Sequence, residues 1–173
     1  MNKFNLKSEI INLQFPASES ARMNSAAEAR FRVQAPNSLP RAIAVVGVDA
    51  AGEDAVGRLA STGWAHATFL AAASPDGDLC DLAGHKRDID EQIGSSDLVI
   101  FVAGPGGHAH SVSRIGEACS LRRVATTGFI VGAGAASDDD LSKTLAQIRP
   151  WSLMVVLARS DDYIDDMLSA LRA

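Results

Sequence analysis

The sequence is short of the features that would make it a disulfide scaffold or a membrane span. Only two cysteines occur in 173 residues, Cys80 and Cys119, far apart in the chain. That spacing supplies neither a disulfide framework nor a zinc-ligand set, and it fits a reduced, cytoplasmic protein. No run of about 18 apolar residues is present, so no transmembrane helix is expected. Lys3 and Lys7 stand at the N-terminus without an apolar stretch of the signal-peptide kind, so no secretory signal is expected either. Positive charge is in deficit: 16 Lys and Arg against 21 Asp and Glu, a net charge of −5. That balance argues against non-specific binding to nucleic acid or to an anionic membrane. Proline is scarce, 6 residues against 14 glycines, and 47% of the chain is apolar. This is the make-up of an ordinary globular protein of one domain, long enough to bury a sizeable core.

Several chemical signatures are missing as well. No glycine turn ends in the Gly-Lys-Ser/Thr of a Walker A loop, and none is a clean GxGxxG. There is no nucleophile elbow and no carboxylate pair with a readable geometry.

What is there begins at Arg41. In RAIAVVGVDAAGEDAVGRL, residues 41–59, an apolar run over 42–46 breaks at Gly47. Apolar residues then return with helical spacing at Ala51, Ala55, Val56 and Leu59. This predicts a buried strand, a tight turn and a packed helix, the usual opening of a parallel α/β domain. The pattern recurs. Strands are expected over 66–72, 97–103, 123–131 and 151–158, with DLVIFVA apolar enough for burial on both faces. Helices are expected after Ser111, with Val112, Ile115, Ala118 and Cys119 inward, and after Ser137 or Asp138, with Leu141, Leu145 and Ile148 inward. A last helix is expected after Ser160. His85 to Ile93 predicts one or two helical turns. The fold expected is α/β, a three-layer Rossmann-like domain over residues 41–173 with a mostly parallel sheet. Residues 1–40 read as an arm or linker, with Phe31 to Val33 as a further edge strand.

Ligands on such sheets bind at the carboxyl ends of the strands. Three turns are expected to gather there: Gly47 to Gly52, Ser74 to Asp78, and GPGGHAHS from Gly104 to Ser111. Gly106 and Gly107 permit close backbone approach, and directly before a helix they suit a phosphate cradle, with Ser111 adding a hydroxyl. The alternative is that these glycines serve packing alone. The charge pattern favours that alternative, because Asp49 sits inside the first turn and Glu53 and Asp54 occupy the positive end of its helix. His108 and His110, with Asp49 or Asp76, have the chemistry for a metal or a base, and equally that of turn residues at a helix start. Cys119 reads as a core residue.

Three stretches together resemble the bacterial tubulin-like (FtsZ-type) cell-division GTPases. VVGVDAAGEDAVGRL resembles that family's first glycine loop and helix, FLAAASPD its second strand and loop, and DLVIFVAGPGGHAHSVSRIGEA its signature strand, phosphate loop and helix. The resemblance covers residues 41–172, the nucleotide-binding half of such a protein. It implies a site for a guanine nucleotide, embraced by loops at Gly47, Asp49, Ala51 and Gly52 and at Gly104, Gly106, Gly107 and Ser111. The chain departs from the family where the phosphates would lie: Val48, Asp49, Ala50 and Ala51 replace a run of glycine, and His108, Ala109 and His110 interrupt the signature. The family's second domain has no counterpart before Ala173, so hydrolysis and filament growth by the family's mechanism are not expected. The expectation is a non-hydrolysing regulatory or assembly protein acting through a protein partner, alone or as a homodimer. The alternatives are a binder of a guanine nucleotide or another phosphate-bearing ligand, and a small enzyme using His108 and His110.

Overall fold

The computed structural model describes residues 40–72, 78–159, 162–171 and 173. The arm expected over residues 1–40, the turn residue Asp76 and the helix cap at Ser160 lie outside the described residues, Pro40 excepted.

The strands are β1 (Ile43–Gly47), β2 (Ala67–Ala71), β3 (Cys80–Asp81), β4 (Leu98–Ala103), β5 (Ala125–Ile130) and β6 (Met154–Leu157). The helices are α1 (Ala50–Ala60), α2 (Ile89–Gly94), α3 (Val112–Arg122), α4 (Asp138–Ile148) and α5 (Asp162–Leu171). The strands form a single sheet in the order β3-β2-β1-β4-β5-β6, parallel except for the β2–β3 pair. The chain leaves β1 toward β2 and returns to pair β4 on the other side of β1. That reversal is the switch point at which α/β sheets open a crevice for ligands.

Strand periodicity divides the core in two. In β1 and β4, Ala44, Val46, Val99, Phe101 and Ala103 face α2, α3 and α4, while Ile43, Val45, Leu98, Ile100 and Val102 face α1 and α5. Every residue of β1 and β4 is buried, as expected for strands covered on both faces. Each large side chain so enclosed contributes about 1.5–3 kcal/mol of transfer free energy, and this holds the three layers together.

The helices start where the sequence supplies caps. Asp49, Asp88 and Ser137 have extended backbones and accept hydrogen bonds from Gly52, Glu91 and Asp140 N–H. Asp138, Asp139 and Asp140 then stand in the favourable first turn of α4.

Some boundaries differ from expectation for local reasons. The stretch read as helical from His85 begins instead as the return of a small antiparallel hairpin, with Lys86 bridged to Cys80 and α2 starting only at Ile89. Asp81 organises that hairpin. Its carboxylate accepts from the N–H groups of Ala83 (3.0 Å) and His85 (2.9 Å) and pairs with Arg87 (2.8 Å). The His85 N–H first, then Arg87 and the His85 ring, hold the carboxyl down at about 2 against its partial desolvation. Trp151, expected to open a strand, lies in a 3-10 turn, Arg149–Trp151, and packs onto Gly116 of α3. There is no room for a β-carbon on Gly116: one would stand 2.7 Å from that of Trp151.

Candidate functional site

The register of the parallel sheet brings two of the expected turns together. Gly47, at the end of β1, lies opposite Val102 of β4, and Val48 N–H donates to the Val102 carbonyl at 3.0 Å. The β1–α1 turn and the β4–α3 loop therefore leave the sheet side by side at its carboxyl rim. Ala72 N–H donates to the Gly47 carbonyl at 2.8 Å, so the end of β2 adjoins them.

The centre of this rim is Asp49. Its side chain is buried, with 7% of the residue exposed. Oδ1 accepts from Gly52 N–H at 2.7 Å, and Gly104 N–H approaches Oδ2 at 2.9 Å and Oδ1 at 3.1 Å. An anion at the start of α1, held by backbone N–H groups from two glycine turns, is the arrangement in which such folds hold a phosphate. Here the anion is the protein's own carboxylate. Burial raises the Asp49 pKa, and the two N–H donors and the nearby His108 oppose that rise.

The second glycine loop is sewn to α4. Gly106 N–H donates to the Asp140 carbonyl (3.2 Å), Gly107 N–H to Thr144 Oγ1 (2.9 Å) and Ala109 N–H to Gln147 Oε1 (2.7 Å). In return Thr144 Oγ1 donates to the Gly104 carbonyl (3.0 Å) and Gln147 Nε2 to that of Gly107 (2.8 Å). Thr144 is fully buried. It lies on the inner stripe of α4 between Leu141 and Ile148, so the sequence's one signal for it was a polar residue at an apolar position. Gln147 gave no signal of its own.

The glycines face protein. A β-carbon on Gly52 would stand 1.9 Å from the Val102 carbonyl oxygen, on Gly47 2.6 Å from Glu53 N, on Gly104 2.7 Å from the Ala51 β-carbon, and on Gly107 2.8 Å from that of Lys143. Gly106 (φ +123°) and Gly107 (φ +80°) also hold backbone conformations that side chains disfavour. Packing of loop against strand and helix thus accounts for Gly47, Gly52, Gly104 and Gly107.

The remaining expected site residues are spread more loosely. Ser111 is buried at the start of α3, and its hydroxyl neither caps the helix nor finds another partner. His108 and His110 are exposed, and His110 Nδ1 lies 3.4 Å from Gln147 Nε2. Among the described residues no group of three His, Cys, Asp or Glu is placed to hold a metal ion. Asp78, from the second turn, is held by Lys86 and by Arg114 at 3.6 Å. Cys119 is buried, and burial pushes its thiol up to about 11, far from an activated nucleophile.

No protein-family model matches the chain, and no curated protein matches it. The N–H groups of Gly52, Gly104, Gly106, Gly107 and Ala109 are taken by Asp49, the Asp140 carbonyl, Thr144 and Gln147, and the space beside Gly47, Gly52, Gly104 and Gly107 is filled. These residues do not fit a phosphate group. Beside the filled cradle, on the α1 face, an open hollow of about 450 Å³ remains at the carboxyl ends of β4 and β5. Pro105, Val131 and Ala136 give it an apolar lining, and Asp54, Arg58 and Arg159 bring charge to it. Among the described residues no helix is long and apolar enough to cross a membrane.

Proposed function

We propose that this chain is a non-hydrolysing regulatory or assembly protein that keeps the shape of a nucleotide-binding domain and acts through a protein partner. The reading treats it as a degenerate relative of the tubulin-like GTPases. The observation that carries it is the Asp49 carboxylate, which takes the N–H groups of Gly52 and Gly104 in place of a phosphate. A second anion brought to that point would meet a like charge and no vacant seat. The test is phosphate release from GTP with magnesium by the purified protein. No release above the protein-free rate is expected; sustained turnover that is lost in Gly107→Asp would overturn the reading.

A second reading keeps the ligand and moves its anchor. The hollow bearing Arg58 and Arg159 supports a binder of an anionic nucleotide-sized molecule that leaves the Asp49 seat closed. Calorimetry with GMP and GTP discriminates the two. Heat of binding that disappears in Arg159→Ala favours the second reading, and no heat with either compound removes it.

A further inference from the structure

The amino-end rim of the sheet, opposite the Asp49 site, carries two adjoining hollows that share Pro150. One, of about 440 Å³, lies between the end of α3 and the starts of β5 and β6 and is lined by Ser120, Arg123, Thr126, Trp151 and Leu153. The other, of about 510 Å³, lies along the last turn of α4 and is lined by Leu145, Ala146 and Arg149. In their walls Trp151 is seated on Gly116, and the left-handed Arg123 (φ 58°) closes α3.

Two properties set this surface apart. First, it presents large apolar groups to solvent. Leu153, which lines the first hollow, is 84% exposed, and Trp151 and Pro150 lie beside it. Second, the charged residues lining the two hollows are of one sign, although Arg123 also borders a further hollow that contains Asp97. The chain carries 21 acidic residues against 16 basic ones, yet no Asp or Glu is among the residues lining either hollow. Among the described residues neither Arg123 nor Arg149 forms an ion pair, whereas Arg122 is paired with Asp90 at 2.8 Å. A second copy docked rim to rim is a poor occupant, because it would bring Arg123 and Arg149 toward their like.

We propose that the groove formed by these two hollows, with Arg123, Arg149, Trp151 and Leu153, binds an extended segment of a partner protein in which acidic residues flank a large apolar one. The apolar side chain lies against Trp151, Pro150 and Leu153, and the carboxylates meet the two guanidinium groups. An extended segment suits two shallow hollows in line better than a compact small molecule does. This proposal rests on the reading of the chain as a partner-binding protein and supplies the surface for it.

The probe is a fluorescein-labelled peptide of about 12 residues in which pairs of Glu flank single Leu residues, so that in an extended segment the Glu two positions from each Leu shares its face; it reaches about 40 Å. Fluorescence anisotropy with the full chain is expected to show saturable binding. Arg123→Glu with Arg149→Glu should weaken it about tenfold or more, as loss of two charge-assisted contacts implies. Leu153→Ser, at an exposed position, should weaken it while the thermal melt stays unchanged. A peptide with Lys in place of Glu, and an oligothymidylate of similar charge, should not compete. Absence of saturable binding, equal affinity for the wild type and the charge-reversed chain, or equal competition by the oligonucleotide would each overturn the proposal. Those outcomes leave the GTP test untouched, so failure of the groove is distinguishable from failure of the non-hydrolysing reading.

Discussion

Replacing Asp49 by alanine is the most informative single perturbation. The substitution removes the N-cap of α1, at a typical cost of about 1 kcal/mol. It also strips the buried Gly104 N–H of its acceptor, and an unsatisfied buried donor costs about 1–3 kcal/mol. Part of this is offset, because the raised pKa shows that burial of the charge is itself unfavourable. A net loss of about 2 kcal/mol is expected, or roughly 8 °C in Tm for a domain of this size. The vacancy left behind has the size of a carboxylate, so formate is the matching rescue reagent. An affinity on the order of 20 mM would return about 1 kcal/mol at about 100 mM formate. Thermal melts of the wild type and of Asp49→Ala, each in formate and in chloride of equal ionic strength, give the answer. If the variant melts with the wild type, or if formate raises both equally, the carboxylate does not occupy an anion seat and the account of the site is wrong.

Other expectations follow from the same contacts. Thr144→Val removes the acceptor of Gly107 N–H and the donor to the Gly104 carbonyl; about 2 kcal/mol lower stability by urea titration is expected, with faster amide exchange at Gly107. Gly52→Ala places a β-carbon 1.9 Å from a backbone oxygen of β4, so α1 must shift from the sheet; a loss above about 3 kcal/mol is expected, and an unchanged melting curve would contradict the close approach. Asp81 has its folded pKa lowered to about 2, below its unfolded value, so its contribution is full above about pH 4 and is lost as the pH falls through about 2. The stability gap between wild type and Asp81→Asn should therefore close across that window. The Asp49 pKa is raised instead, so its contribution is present in acid and is lost as the pH rises from about 3.8 through the folded value. The stability of the wild type relative to Asp49→Asn should accordingly fall over that range.

The sequence by itself determined the local elements, because their causes are local. The apolar run over 98–103 specifies a strand covered on both faces, and Ser137 followed by three aspartates specifies a helix start; both are found. The alternation in β1 and β4 determined which side chains could face each layer. The β3 hairpin was less legible, since a two-residue strand has too little periodicity to read and is fixed by the contacts of Asp81 instead. The site depended on tertiary structure for a plainer reason. Asp49 meets Gly104, 55 residues away, only because β1 pairs β4, and Thr144 reaches the glycine loop from 40 residues along the chain. A glycine that admits a ligand and one that admits a neighbouring carbonyl are the same letter. Strand order decided which atoms stand beside each glycine, and at this rim they are the protein's own.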